Sequence, residues 1–219
     1  SFSSGASFGY GMRITIDNDN NNFTQIVYTE PNSPARSASL TRGAQIVAVD
    51  GVTLANISNQ SQIDTVNGAL FPDASGETHT FVVRDPGATE DREFTMVSGS
   101  IDVAAVNRFS TIDTPTGKVG YMLFNTFSPT SSEGQLFDAF TSLKDEGVTD
   151  LVLDLRYNGG GRVDIASELG FMIAGSDQTS GKTFIQFREN DKQPVEAPYP
   201  FLSQTRGLSG PASGTPLPS

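Results

Sequence analysis

The sequence LVLDLRYNGGG, residues 151–161, decides the fold of this chain. Apolar residues around a single Asp are typical of a short buried strand in a parallel or mixed sheet. The strand ends in Arg-Tyr-Asn, and three consecutive glycines follow. Apolar residues then recur with helical spacing, at Val163, Ile165, Ala166, Leu169 and residues 171–173. The stretch therefore predicts a strand, a glycine turn and a helix.

A glycine turn between a strand and a helix allows backbone N–H groups to approach a ligand, because no Cβ stands in the way. The N-terminus of the following helix adds positive potential. Proteins of the α/β class place anion and oxyanion sites at such turns. Three glycines alone leave a tight turn with no ligand as the alternative.

The preceding sequence extends this pattern. Residues 118–127 predict another strand, and residues 134–145 predict an amphipathic helix. The apolar face of that helix comprises Leu136, Phe137, Phe140 and Leu143. The predicted elements follow in the order strand, helix, strand and helix, and the second strand ends in the motif LDLR-x-N-x-GG. This order and this motif resemble the core of the S41 family, the C-terminal processing peptidases. The resemblance covers roughly residues 119–175.

The N-terminal half contains a second pattern. Gly9-Tyr10-Gly11-Met12 fits a glycine loop that opens an alternating strand over residues 12–16. The segment SPARSASLTRGAQIVAVDG, residues 33–51, resembles the PDZ domain and departs from it at Ala44, where Asp is usual. Ser33 and Pro34 predict the start of a short helix, and Asp50-Gly51 predicts a turn. Further elements are predicted at residues 23–28, 43–49, 57–70, 78–84 and 92–97.

A PDZ-like domain implies a peptide groove. An extended peptide would add as a strand beside residues 12–16, and its terminal carboxylate would accept N–H bonds from the glycine loop. The substrate-binding residues we expect are Gly9, Tyr10, Gly11, Met12 and Ile14. A turn that merely opens the strand is the alternative.

The S41 resemblance implies a serine endopeptidase with Ser/Lys catalysis. It places the backbone N–H of Gly160 or Gly161 in the oxyanion hole, and we expect Asp154, Arg156 and Asn158 to give structural support. The family's nucleophilic Ser lies in a segment of the type TASASE, with the general base Lys further on. No such segment follows Gly175. We therefore expect a chain truncated before its catalytic residues and inactive as given.

Two other functions stay open at this point. One is a non-catalytic PDZ scaffold that only binds peptides. The other is a crotonase-like acyl-CoA enzyme, because the S41 core shares that ββα architecture. The PDZ pattern and the lack of a basic cluster for phosphate argue against the second.

Composition excludes several classes of function. The chain has 14 basic and 25 acidic residues, a net charge of −11, and no Cys. We expect no nucleic-acid partner, no transmembrane segment, no cofactor and no metal site, since His79 is the single histidine. The partners we expect are proteins or peptides bound through their C-termini, and an oligomer is compatible with the sequence. The family resemblance favours a periplasmic or otherwise exported bacterial protein.

The predicted fold class is α+β or α/β. Residues 1–98 would form a PDZ-like small β-barrel with helices, and residues 99–219 an incomplete ClpP/crotonase-like ββα core. The Pro- and Gly-rich tail, residues 208–219, predicts a flexible loop or linker.

Overall fold

The computed structural model of the protein describes residues 6–192, 194 and 196–219. The chain folds as two compact units that divide between Val103 and Ala104. The predicted boundary after residue 98 lies just before a strand, Gly99–Asp102, that pairs with the first strand of the chain. That strand therefore belongs to the first unit.

The described part of the first unit contains eight strands, two α-helices and a 3-10 turn at Leu54–Asn56. In chain order they are β1 (Ala6–Gly9), β2 (Met12–Asp17), β3 (Phe23–Thr29), α1 (Pro34–Ser37), β4 (Gln45–Val49), β5 (Val52–Thr53), α2 (Gln60–Leu70), β6 (Thr78–Arg84), β7 (Arg92–Val97) and β8 (Gly99–Asp102).

The main sheet of this unit has the strand order β2-β3-β4-β6-β7, and all its pairings are antiparallel. β5 pairs with β4, and β1 with β8 forms a separate ribbon. The core includes Tyr10, Ile26, Leu40, Ile46, Val49, Phe81 and Val83 from the strands and loops, with Val66, Ala69 and Leu70 from α2. β2 stands at an edge, so one row of its backbone groups has no strand partner in the sheet.

Local chemistry explains the connections. Ser33 caps α1 by accepting a hydrogen bond from the Arg36 N–H, and Pro34 occupies the first turn. Asp50 and Gly51 both have positive φ, at 47° and 76°, as a two-residue hairpin turn requires. Both features were predicted from the sequence.

The described part of the second unit contains five strands and two helices. In chain order they are β9 (Val106–Thr114), β10 (Gly117–Phe124), α3 (Ser131–Asp145), β11 (Asp150–Asp154), α4 (Val163–Thr179), β12 (Thr183–Ile185) and β13 (Tyr199–Pro200). Gly175 has non-helical backbone angles and kinks α4.

The sheet of this unit has the order β11-β10-β9. β10 runs parallel to β11 and antiparallel to β9, so of the parallel or mixed sheet that the sequence predicted, the structure has the mixed one. The helices cover one face, where the core includes Met122 and Phe124 from β10, Leu136, Phe140 and Leu143 from α3, and Ile165, Leu169 and Met172 from α4.

Two strand predictions need correction. The segment 151–155 is not a buried strand, because β11 lies at the edge of the sheet and leaves Val152 and Leu155 52% and 43% exposed. The strand predicted over residues 183–188 ends at Ile185.

The tail prediction was also wrong. Residues 208–219 are not a free loop, because backbone N–H groups of Leu208 and Ser209 donate to the buried carboxylate of Glu133. The tail also contributes Leu217 to the core of the unit. Within the described ranges, no helix is both long enough and apolar enough to cross a membrane.

Candidate functional site

The glycine turn lies at the carboxyl ends of the parallel strands β10 and β11. The segment after β10 pairs with it: the Phe127 N–H donates to the Gly160 carbonyl at 2.9 Å, and the Arg162 N–H donates to the Phe127 carbonyl at 3.2 Å. The turn leads directly into α4. This is the position at which open α/β sheets place ligand sites.

Gly161 cannot be replaced without moving backbone. Its φ is +137°, and a Cβ there would lie 2.4 Å from the Phe127 carbonyl carbon and 2.5 Å from the Ser128 nitrogen. Gly160 also has a positive φ, +95°, but a Cβ at that residue would meet nothing within 4 Å. Glycine is thus required at 161 by close approach and favoured at 160 by backbone conformation.

The N–H groups of the two glycines differ in their partners. The Gly160 N–H donates to Asn158 Oδ1 at 2.8 Å, and Asn158 Nδ2 donates to the Phe124 carbonyl at 3.1 Å. Asn158 therefore ties the turn to the end of β10. The Gly161 N–H has no acceptor in the part of the chain that the structure describes, and Gly161 is exposed. Of the two predicted oxyanion donors, Gly161 is the one whose N–H is available to a ligand.

Asp154 and Arg156 form an ion pair where β11 ends. Arg156 Nε donates to Asp154 Oδ1 at 2.9 Å, and the Tyr121 hydroxyl donates to Asp154 Oδ2 at 2.8 Å. The Asp154 side chain is buried while Arg156 is exposed. The guanidinium holds the pKa of Asp154 well below its ordinary value, although burial acts in the opposite direction. These contacts connect the end of β11 to β10.

Several buried polar residues of the second unit were not singled out from the sequence, among them two acids and one amide. Glu133 and Glu168 are each 1% exposed, and Asn125 is 4% exposed. Neither side-chain polar atom of Asn125 has a hydrogen-bond partner among the described residues. The sequence did contain a sign that the two acids are buried, because each lies within the apolar face of its own helix.

The predicted carboxylate-binding loop of the first unit points its carbonyls inward. The Tyr10 carbonyl accepts from the Ala35 N–H at 2.9 Å, and the Gly11 carbonyl accepts from the Glu30 N–H at 2.6 Å. The N–H groups of Tyr10 and Gly11 have no acceptor among the residues described. The loop therefore offers two donors.

Packing fixes the position of this loop. The Tyr10 ring is buried edge-on against Phe81, with centroids 5.1 Å apart. Burial raises the pKa of Tyr10 to about 12, assisted by the negative charges of Asp50 and Glu77. Gly11 has a φ of +69°, and a Cβ there would lie 2.3 Å from the Ser33 Cβ.

All five predicted substrate-binding residues lie within residues 9–14. Gly9 ends β1, Tyr10 and Gly11 form the loop, and Met12 and Ile14 lie half-buried on the edge strand β2. Met12 and Ile14 pack against the same core that receives α2.

No metal or cofactor site is recognisable in the described ranges. They contain no group of three or more His, Cys, Asp or Glu residues arranged to hold a metal ion. His79 instead forms a 2.6 Å contact from Nδ1 to Asp50 Oδ2.

Family comparisons agree with this geometry. The family model of peptidase family S41 matches residues 118–202, which contain the glycine turn, and that of the PDZ domain matches residues 2–69. The class of protein defined here is a PDZ-like domain joined to an S41-type α/β unit. The resemblance to the S41 peptidases and the mixed α/β fold with a PDZ-like domain are confirmed.

Curated relatives carry a consistent name. A carboxyl-terminal-processing protease from Picosynechococcus is 28% identical over 167 residues, covering 76% of this chain and 38% of its own length. A chloroplastic C-terminal processing peptidase from Tetradesmus obliquus is 30% identical over 165 residues, covering 72% of this chain and 35% of its own length. The chain thus spans little more than a third of either relative.

Solved structures give the same result. A Bacteroides fragilis protein assigned to the S41 proteases superposes with a TM-score of 0.65 at 29% identity, covering 89% of this chain and 51% of its own. The photosystem II D1 C-terminal processing protease superposes with a TM-score of 0.51 at 26% identity, covering 77% of this chain and 44% of its own.

Proposed function

We propose that this chain forms the tail-binding and oxyanion-binding parts of a serine endopeptidase of the C-terminal processing type. The observation that carries the proposal is the free Gly161 N–H at the end of two parallel strands, inside the segment that matches the S41 family. The names of the relatives support the same reaction class.

In the proposed mechanism, Gly161 donates its N–H to the oxyanion that forms when a Ser hydroxyl attacks the scissile carbonyl. The family resemblance assigns that Ser, and the Lys that takes its proton, to sequence absent from these 219 residues. One oxyanion donor lowers the barrier by about 3–4 kcal/mol. Asn158 acts through the turn, because its side chain engages the Gly160 N–H and leaves that of Gly161 free.

We propose that the 219-residue polypeptide does not hydrolyse peptides by itself. A hydroxyl is a weak nucleophile unless a base lies within hydrogen-bonding reach, and no segment of the TASASE type occurs in the sequence. Asp154 and Arg156 support the strand end and take no part in bond cleavage in this proposal, because each is already paired with the other.

The first unit would bind the substrate's C-terminus. A peptide adding to the free edge of β2 would direct its carboxylate to the N–H groups of Tyr10 and Gly11. We expect a fluorescent peptide with a free carboxylate to bind about tenfold or more tighter than its C-terminal amide, since hydrogen bonds to a charged group contribute about 1.5–3 kcal/mol each. Equal affinities in fluorescence anisotropy would contradict tail recognition.

Peptidase activity is tested on the natural gene product. Its intact mass, measured from the native source, should exceed the 23.3 kDa of this chain, and the product should cleave peptides near an unblocked C-terminus. A product of 23.3 kDa that binds free-acid peptides and cleaves none would exclude the peptidase. The non-catalytic peptide-binding module, favoured by the two free N–H groups of the loop, would then be the function.

We also propose an exported location for the natural protein, in keeping with the family resemblance. Fractionation of the native cells tests this directly, and recovery of the protein with cytosolic markers would exclude it.

A further inference from the structure

Two buried carboxyl groups face each other between the helices of the second unit. Glu133 lies in the first turn of α3, Glu168 lies in α4, and each side chain belongs to a residue only 1% exposed. We call Glu133 and Glu168 the carboxyl pair. Neither group has a role in the function proposed above.

The carboxyl pair holds a segment of backbone. Glu133 Oε1 accepts the N–H groups of Arg206 and Gly207, and Glu133 Oε2 accepts those of Leu208 and Ser209. Glu168 Oε1 also accepts the Arg206 N–H, at 3.1 Å. Successive N–H groups that converge on one carboxylate form a strong anion-binding arrangement.

This segment belongs to a larger loop. Two hydrogen bonds join the ends of residues 205–217. The Gly214 N–H donates to the Thr205 carbonyl at 2.9 Å, and the Thr215 N–H donates to the Thr205 hydroxyl at 3.2 Å. We call residues 205–217 the 205–217 loop. Its contacts with the carboxyl pair fasten it to α3 and α4.

The pair requires a proton to exist in this form. Glu133 Oε1 and Glu168 Oε1 both accept the Arg206 N–H, and two negative charges held this close in a buried site repel each other unless one carboxyl carries a proton. Glu168 Oε2 is buried and receives no donor from the described residues, so the proton belongs to Glu168.

The surrounding charges are few and partly neutralise one another. Asp164, one turn earlier in α4, raises the pKa of Glu168, and it is itself paired with Arg162 at 2.6 Å. Among the described residues, Arg206 in the loop and Tyr199 of β13 also interact with this cluster. Burial, followed by the charge of Glu133, raises the pKa of Glu168 to about 8.

We propose that the carboxyl pair is a pH-sensitive latch, which holds the 205–217 loop on α3 and α4 while Glu168 is protonated and loosens it when both carboxyls are ionised. Two negative charges in one buried site repel each other and lose their solvation, so the ionised pair favours an open loop. This regulation goes beyond the proposed function and does not depend on it.

The loop in turn touches the segment that pairs with the glycine turn. The Ser209 hydroxyl donates to the Thr130 carbonyl at 2.7 Å and accepts the Gly134 N–H at 3.1 Å. The Ser132 hydroxyl donates to the Thr126 carbonyl at 3.2 Å, next to Phe127. Opening of the loop therefore removes the Ser209 contacts at the start of α3, a few residues along the chain from Phe127.

The direction of the pH effect follows from linkage. Glu168 has a higher pKa in the folded state, about 8, than its ordinary value of 4.5. The stabilisation of the closed loop by the carboxyl pair is therefore greatest below pH 4.5 and decreases as the pH rises to about 8. Above that pH it does not decrease further.

Hydrogen exchange of the complete 219-residue chain, followed by mass spectrometry from pH 5 to 9, tests the latch. After correction for intrinsic exchange, protection of the amides of residues 206–209 should fall by up to about tenfold per pH unit until pH 8. Amides of β10 should keep constant protection. Constant protection of residues 206–209 over this range would overturn the proposal, and this test needs no variant.

Three variants locate the effect. Glu168→Gln keeps an N–H donor toward Glu133 without a titrating proton, so the loop should stay protected at pH 8. Glu133→Gln removes the charged acceptor and should lower protection at every pH. Glu146→Gln makes the same charge change at an exposed position of the α3 C-cap and should keep the wild-type profile. A wild-type profile in Glu168→Gln would assign the pH dependence to another group and overturn the latch.

Discussion

Glycine is required at position 161 because main-chain atoms of the neighbouring segment leave no room for a Cβ. The obstruction to a Cβ comes from the Phe127 carbonyl carbon and the Ser128 nitrogen, which are part of the hydrogen-bonded pairing with the turn. A flexible side chain could move aside at low cost, but these atoms cannot move without breaking that pairing. The same close approach leaves the Gly161 N–H facing away from Phe127.

We expect Gly161→Ala to lower the free energy of unfolding by about 2–4 kcal/mol, from backbone strain at positive φ and displacement of Phe127. Urea denaturation measures the change. Gly159→Ala is the matched control, because a Cβ at Gly159 meets nothing within 4 Å, and it should change stability by less than about 1 kcal/mol. Equal losses for the two variants would show that the close approach at Gly161 is unimportant.

Asp154 should contribute to stability in a pH-dependent manner. Its pKa is lowered in the folded state, so its contribution is present above the ordinary value of 3.8 and is lost as the pH falls below it. Asp154→Asn should cost about 1–2 kcal/mol at pH 7, mainly through weakened bonds from Tyr121 and the Arg156 N–H, because the Arg156 side chain is exposed.

The measurement is urea denaturation of wild type and Asp154→Asn at several pH values. The difference between the two proteins should shrink as the pH falls below 3.8. A difference that stays constant from pH 7 to pH 2.5 would mean that the charge of Asp154 contributes nothing.

At the scale of single elements, α1, the shortest α-helix among the described residues, contacts the loop proposed to bind the substrate tail. α1 has four residues, too few to be stable without tertiary contacts and a cap. The Ser33 hydroxyl donates to the Glu30 carbonyl at 2.8 Å and accepts the Arg36 N–H at 3.2 Å. The Ala35 N–H in this helix then reaches the Tyr10 carbonyl. The cap therefore helps to place the loop.

Ser33→Ala should lower the free energy of unfolding by about 1–2 kcal/mol, because it removes the cap and one buried hydrogen bond. Ser37→Ala, at an exposed position of the same helix, should stay within about 0.5 kcal/mol of wild type. Chemical denaturation of both variants provides the comparison. An unchanged free energy of unfolding in Ser33→Ala would show that the cap does not help to place this loop.

Elements with local signals were predictable from the sequence. The apolar stripe of α3 and the Ser33-Pro34 start of α1 both rest on residues within one turn of each other. The edge position of β11 was not predictable, because strand order depends on contacts between segments distant in sequence. The carboxyl pair carried a local signal, an acidic residue inside each apolar stripe, but its partner backbone lies 73 or more residues from Glu133.

The candidate site follows the same rule. The glycines at 160 and 161 were predicted together, since their residue type is evident in the sequence. The sequence did not predict that the N–H of Gly161 is free while that of Gly160 is not. This difference depends on the Asn158 side chain and on the approach of Phe127. The roles of these residues in catalysis stay a prediction.

At the scale of the whole molecule, the chain has two separate cores. One contains Leu40 and the other Leu136, and neither side chain is more than 1% exposed. Each unit has its own sheet and its own helices. A unit with its own buried core is expected to unfold as a cooperative block.

Leu40→Ala and Leu136→Ala should each lower the stability of their own unit by about 2–5 kcal/mol. Hydrogen exchange of slow amides in β4 and β10 reports on the two units separately. Leu40→Ala should accelerate exchange in β4 alone, and Leu136→Ala in β10 alone. Loss of protection in both strands from either variant would mean that the two units unfold together.

The carboxyl pair also constrains the order in which the second unit can mature during translation. Glu133 and Glu168 are synthesised well before residues 206–209, whose N–H groups they receive. Until the ribosome releases that segment, a buried Glu133 would lack its donors. We therefore expect the nascent helices α3 and α4 to stay apart and hydrated around these acids, and their final packing to wait for residues 206–209.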